Sequence, residues 1–232
     1  MRKFVIGDIH GAYRALKQCL ERSEFDYAQD QLICLGDVCD GWPQTKESFD
    51  ELLKIKNLVL VMGNHDFWGL KWAKNGTMSH IWLNQGGRNT IASYNGEPMT
   101  ETHVSLLEGA HDYYILEDRL FVHAGIKPDK PIDTQTQEEF LWDRSMVKEV
   151  MDRHYSGDEV HLMEDFKTTY VGHTPIHNFG YFEPIKSCGV WLMDTGAGWD
   201  GTLSMMNIDT EEIFCSDKVT TLYPPNTGRM KQ

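Results

Sequence analysis

The stretch Gln31-Leu32-Ile33-Cys34-Leu35-Gly36-Asp37-Val38-Cys39-Asp40-Gly41 joins a short apolar run to two glycines and two carboxylates. Leu32 to Leu35 reads as a buried strand, which places Asp37 just past the strand's end. Open α/β sheets bind ligands at the carboxyl ends of their strands, so Asp37 is the candidate central metal ligand. Its partners are therefore expected at other strand ends.

Working outward, residues 3–7 predict a first strand that runs into Asp8-Ile9-His10. Residues i and i+2 of an extended segment face one side, so Asp8 and His10 can converge on one ion. Ala12, Ala15, Leu16, Cys19 and Leu20 recur at helical spacing and predict a helix over residues 12–23. A second helix is expected over 44–56, with Phe49, Leu52, Leu53 and Ile55 inward, and a third strand over 58–62 that ends in Gly63-Asn64-His65-Asp66. This repetition of strand, polar strand end and helix indicates an α/β fold.

Residues 67–107 turn helical and aromatic, with Trp68, Trp72, Trp82 and Tyr94 among them. The segment lacks a basic stripe, so it reads as core packing or a cap over the site rather than a nucleic-acid stacking platform. Strands are expected over 113–116 and 120–123, the second ending in His123-Ala124-Gly125. After a polar loop over 127–137, a helix over 138–155 leaves room for a break near Asp143. The last third reads as mostly β, with strands over 168–171, 181–183, 190–193, 203–207 and 213–215. The first of these leads into Gly172-His173-Thr174-Pro175. One domain over residues 1–223 and a flexible tail over 224–232 complete the expected organisation.

Composition limits the partners. The 232 residues hold 22 basic and 35 acidic side chains, a net charge of −13, which disfavours nonspecific nucleic-acid binding. Phosphate chemistry stays open, because bound divalent cations reverse the local field. The five cysteines contain no Cys-x-x-Cys pair. They read as reduced, mostly buried thiols, and a cytoplasmic location is expected. No apolar run approaches the roughly 20 residues of a membrane span, so no membrane partner is expected.

Collected in order, the strand-end residues Asp8, His10, Asp37, Asn64, His65, His123 and His173 form a metal-ligand inventory. Carboxylate, imidazole and amide oxygen together suit manganese, iron or zinc rather than calcium. Seven such groups exceed the needs of one ion, whereas two ions sharing Asp37 would use them. The remaining histidines, His80, His103, His111, His154, His161 and His177, read as structural. Pro175 argues against a helical metal pair of His173 and His177, and Cys39 reads as packing beneath the loop.

Gly7-Asp8-Ile9-His10-Gly11, Gly36-Asp37 with Asp40, Gly63-Asn64-His65-Asp66, His123-Ala124-Gly125 and Gly172-His173-Thr174 together resemble the motifs of the calcineurin-like metallophosphoesterases. The branch resembled is the phosphoprotein phosphatase type, with its bacterial and phage members and the symmetrical dinucleoside tetraphosphatases; the likeness runs from residue 4 to about residue 208. It implies two mixed β-sheets packed face to face with flanking helices. It also implies two divalent metal ions, manganese first with iron or zinc as alternatives. Asp8 and His10 would hold the first, Asp37 would bridge, and Asn64, His123 and His173 would hold the second. His65 would be the general acid, oriented by Asp40. The implied activity is hydrolysis of phosphate esters or anhydrides by metal-bound hydroxide.

Gly41 departs from the pattern, since the protein phosphatases carry an arginine there and one phosphate clamp is thereby missing. Arg144, in Leu141-Trp142-Asp143-Arg144, matches a later Trp-x-Arg segment and is the preferred remaining clamp. Met193-Asp194-Thr195-Gly196 is similar to a segment of the tetraphosphatase-like members, with Asp194 as a supporting group or turn cap. The substrate is expected to be a phosphorylated small molecule, a nucleotide or a phosphoprotein. Ser/Thr protein phosphatase and nucleotide- or RNA-end phosphatase or phosphodiesterase are the alternatives. A catalytically silent, metal-stabilised binding scaffold is the rival of another class.

Overall fold

The structure, a computed structural model, describes residues 1–229. The first half runs β1 (Lys3–Ile6), α1 (Tyr13–Arg22), β2 (Gln31–Cys34), α2 (Thr45–Leu52), β3 (Asn57–Leu60) and α3 (Asn64–Asn75). Three short helices follow, α4 (His80–Trp82), α5 (Arg88–Ser93) and α6 (Glu101–Glu108). The second half holds β4 (Tyr113–Leu116), β5 (Arg119–Val122), α7 (Gln137–Trp142), α8 (Ser145–Ser156), β6 (Thr168–Val171), β7 (Ile185–Ser187), β8 (Val190–Leu192), β9 (Ser204–Asn207), β10 (Ile213–Cys215) and α9 (Val219–Leu222).

Two five-stranded mixed sheets result, ordered β10-β9-β1-β2-β3 and β4-β5-β6-β8-β7. β1, β2 and β3 are parallel, as are β5, β6 and β8, while β9, β10, β4 and β7 pair antiparallel. Alternation of side chains along each strand sorts the core into three layers. Phe4, Ile6, Leu32 and Cys34 face Leu16, Leu20, Phe49 and Leu52 of α1 and α2. Val5, Ile33, Leu35 and Met206 point the other way and meet Phe121, Tyr170, Trp191 and Met193 of the second sheet. There the Phe121 and Tyr170 rings stack with centroids 4.7 Å apart. Leu120, Val122, Val171 and Leu192 face α7 and α8 through Phe140, Met146, Val147 and Val150. The expected face-to-face sheets with helices outside are thus the observed architecture.

Local departures have local causes. No strand forms over 181–183; pairing starts at Ile185, opposite Leu192, because Pro184 has no N–H to give to a ladder. The expected helix over 138–155 breaks at Asp143, whose backbone is extended and whose carboxylate accepts hydrogen bonds from Ser145 Oγ (2.8 Å) and the Met146 N–H (3.4 Å). α2 ends at Leu52, leaving Leu53 42 % exposed rather than inward. Residues 224–229 pack against the body near Trp42, and residues 230–232 of the expected tail lie outside the described residues. Among the described residues, no helix is long and apolar enough to cross a membrane.

Candidate metal centre

Each parallel strand delivers polar residues just beyond its carboxyl end. Asp8 and His10 follow β1, and Asp37 and Asp40 follow β2. Asn64 and His65 open α3 after β3, His123 and His173 follow β5 and β6, and Asp194 follows β8. All nine side chains are buried. His10, Asp37, Asp40 and His173 have φ values of 50°, 50°, 73° and 62°. Left-handed backbone is uncommon for residues with a Cβ, and four cases at one site mark loops bent to aim side chains.

Asp37 stands at the centre. Its Oδ2 lies 3.5 Å from His10 Nε2, and its Oδ1 lies 3.5 Å from His123 Nε2 while accepting the His65 backbone N–H at 2.9 Å. Potential ligand atoms of His10, Asp37 and His65 lie within 4.8 Å of one another, and so do those of Asp37, His123 and His173. Asp37 is common to both sets. Asp8 falls outside both sets; its carboxylate accepts the His173 backbone N–H at 3.1 and 2.9 Å and keeps lone pairs for a cation. Asn64 Oδ1 lies 3.0 Å from His123 Nε2 and adds an amide oxygen to the second set.

The donor set fits divalent cations. His10 Nδ1 faces the Cys39 carbonyl at 3.1 Å and His123 Nδ1 the Leu35 carbonyl at 2.8 Å. Each ring thereby donates from Nδ1 to main chain and leaves Nε2 free for a cation, the usual support for a ligating histidine. His173 Nε2 is buried without a partner. Burial pushes His10 well below its ordinary value and His123 down to about 4, and it lowers His173 as well, so the rings are neutral, as ligands must be. Burial and neighbouring acids raise Asp8, and burial raises Asp37 and takes Asp66 and Asp194 up to about 7. Carboxylates crowded in this way gain from a cation in their midst.

His65 is held differently. Its Nδ1 meets Asp40 Oδ2 at 2.5 Å. The rest of that carboxylate is taken by Trp82 Nε1 (2.8 Å) and Thr90 Oγ1 (2.6 Å). Burial lowers His65 to about 3 and raises Asp40 to about 7, so removal from water acts on both members of the pair. Asp66 ties the start of α3 to the Asp37 loop by accepting the Cys39 N–H at 2.9 Å.

A cavity of about 380 Å³ opens over these groups, walled in part by Trp142, Arg144, Trp199 and Arg229. Arg144 Nη1 donates to the His173 carbonyl (3.3 Å) and to Thr174 Oγ1 (3.2 Å), which sets it at the rim. The fixing of Asp40 by Trp82 and Thr90, and the presence of Arg229, carried no signal in the sequence. The aromatic middle segment serves both expected ends, since Trp72 and Trp82 are core while Trp82 also holds Asp40. His103 and His154 are structural as read, bonded to Tyr94 and Asp50 and to Tyr181 respectively. His177, also read as structural, lines the cavity, 3.3 Å from Asp200.

Close packing makes one substitution informative. A Cβ at Gly172 would stand 2.2 Å from Asp8 Oδ1, an impossible approach. Gly172→Ala is expected to displace the Asp8 carboxylate and to weaken metal binding by about 10- to 100-fold, the range for disturbing a ligand's support. Calorimetric titration with Mn²⁺ reads this directly, and unchanged affinity would remove Asp8 from the centre.

Comparison with known proteins agrees with this geometry. The model of the calcineurin-like phosphoesterase family matches residues 1–197. A symmetrical bis(5′-nucleosyl)-tetraphosphatase of Pseudomonas fluorescens is 25 % identical, over 92 % of this chain and 94 % of the relative. Serine/threonine-protein phosphatase 1 of Salmonella typhimurium is 28 % identical, over 88 % and 91 %. Among solved structures, a protein provisionally named a diadenosine tetraphosphatase superposes with a TM-score of 0.68 at 18 % identity, covering 92 % of each chain. With its strand-end acids and histidines gathered about Asp37, the chain belongs to the calcineurin-like phosphoesterases and is a metal-dependent phosphoester hydrolase.

Proposed function

We propose that this protein cleaves a phosphoanhydride or phosphate ester in a nucleotide-sized substrate, with two divalent cations held about Asp37. The observation that carries this reading is the membership of Asp37 in both potential ligand sets. Asp8 and His10 complete one metal site; Asn64, His123 and His173 complete the other. Manganese fits this mixture of carboxylate, imidazole and amide first, with iron and zinc as alternatives. When bound, the cations supply Lewis acidity and a water of lowered pKa.

The chain's own groups supply the rest. Asp40, raised to about 7, shares its proton with His65 Nδ1, so the neutral ring carries its own proton on Nε2 and gives it to the leaving oxygen as Nδ1 takes up the Asp40 proton. Arg144 binds phosphoryl oxygens from the rim. Trp142 and Trp199 line the cavity and add aromatic surface against which a base can pack, which favours a nucleotide over a phosphoprotein. Phosphoprotein hydrolysis is the second reading, supported by the likeness to the Salmonella phosphatase. The unpaired cysteines favour a reducing cytoplasm.

A panel of four substrates separates the readings: dinucleoside tetraphosphate, phosphopeptide, 2′,3′-cyclic nucleotide and 5′-phosphorylated oligonucleotide, each with the Mn²⁺-loaded protein. Dinucleoside tetraphosphate is expected to show the highest kcat/KM, by at least about tenfold, the scale on which one added apolar contact discriminates. Preference for the phosphopeptide would replace the nucleotide reading. Failure to turn over any of them, or an aryl phosphate, would leave the silent scaffold.

A further inference from the structure

We propose that Arg229, carried into the site by the C-terminal segment, binds the substrate's phosphoryl oxygens and takes over the task of the arginine that Gly41 lacks. The inference rests on the phosphoester reading above and deepens it.

Three observations carry it. The first is where the guanidinium stands. Arg229 lines the cavity over the metal centre, with Cζ 4.7 Å above the Trp199 ring and Nη2 3.4 Å from His65 Nε2 and 3.5 Å from His10 Nδ1. Arg144 stands beside His173, which the second sheet supplies, whereas Arg229 stands beside His10 and His65, which the first sheet supplies. The two arginines thus approach the cavity from different sides.

The second is what the guanidinium lacks. Its Nε is buried without a partner. The ring nitrogens beside Nη2 are poor acceptors at such lengths, and His10 Nδ1 already faces the Cys39 carbonyl. A planar fork in a cavity wall, with Nε unpartnered and Nη2 meeting only ring nitrogens at 3.4 and 3.5 Å, matches a phosphoryl group, which accepts in that geometry.

The third is how the segment is held. The residue after Gly41, Trp42, stacks on Tyr223 with ring centroids 4.9 Å apart. Gly228 packs on the same indole so closely that a Cβ there would stand 2.7 Å from the ring. Asn89 Nδ2 donates both to the Gly41 carbonyl and to the Thr227 carbonyl, the latter at 3.4 Å. The loop that has lost its arginine is therefore the loop on which the C-terminal segment docks.

The test uses the Mn²⁺-loaded chain of all 232 residues with inorganic phosphate as probe. Phosphate affinity is measured by calorimetry and as competitive inhibition of aryl phosphate hydrolysis. Arg229→Ala is expected to weaken phosphate binding by about 10- to 100-fold, the worth of a hydrogen bond to a charged group. KM for aryl phosphate should rise while Mn²⁺ stoichiometry and melting temperature stay at wild-type values. Arg229→Lys should recover part of the affinity, since it restores charge without the fork, and added guanidinium ion should partly rescue the alanine variant. Phosphate affinity within twofold of wild type would overturn the proposal, as would a change confined to metal binding, which would make Arg229 a counter-charge for the carboxylates. If wild-type protein with Mn²⁺ neither binds phosphate nor hydrolyses aryl phosphate, the phosphoester reading itself fails, a result distinct from an active wild type with an indifferent Arg229.

Discussion

Replacing Asp37 by Asn is expected to lower metal-dependent hydrolysis of an aryl phosphate by far more than about 100-fold, the upper end for losing a residue that only supports a ligand. Asp37 is the one residue common to both potential ligand sets, so its charge acts on two cations at once. The substitution is also clean. Asn keeps an oxygen where Oδ1 accepts the His65 N–H, so the start of α3 has no cause to move. The fold should even gain before metal is added, because Asp8, Asp40, Asp66 and Asp194 are buried in the same region and one fewer negative charge faces them. The expected pattern is therefore a variant that melts no lower than wild type without metal, yet shows little rise in melting temperature when Mn²⁺ is added. Metal analysis should find fewer than two ions per chain. Wild-type turnover in this variant would sink the assignment of Asp37 as the shared ligand.

The second large effect concerns His65. Removing its imidazole by His65→Ala should reduce hydrolysis by about 10²- to 10⁴-fold, the usual contribution of a positioned proton donor. The loss should depend on the leaving group: severe for an alkyl phosphate, whose departing oxygen needs a proton, and slight for a nitrophenyl phosphate, whose oxygen leaves unaided. Geometry permits a rival role, since His65 shares a potential ligand set with His10 and Asp37. Metal analysis decides between them. If His65 is the proton donor, it should be dispensable for metal, and the alanine variant should keep two ions, since Asp37, His10, His123 and His173 remain. Loss of an ion, with equal slowing for both leaving groups, would place His65 among the ligands. Asp40 is held on both oxygens by Trp82 and Thr90, so the aspartate cannot swing to follow a displaced ring.

Much of this centre was legible in the chain before any tertiary contact was considered. β1, β2 and β3 are short alternating or apolar runs bounded by glycine and polar residues, and their limits came within one or two residues. Since each candidate ligand directly follows such a run, locating the strands located the ligands. Reading failed where a remote or single residue overrode the pattern. Pro184 displaced a strand that the residues before it suggested, and Leu53 lost its inward position when α2 stopped one residue earlier.

The strand-end motifs alone put Asp8, His10, Asp37, Asn64, His65, His123 and His173 at the ends of strands, because strand direction and the two-residue alternation are local properties of the backbone; the packing of the two sheets brought those ends together. Only the tertiary structure decided which groups serve them. Trp82 and Thr90 reach Asp40 across 42 and 50 residues, and Arg229 reaches His65 across 164. Such separations leave no periodic trace in a sequence; that of Arg229 is set by the packing of Trp42 on Tyr223 and Gly228, which turns an expected loose tail into a wall of the site.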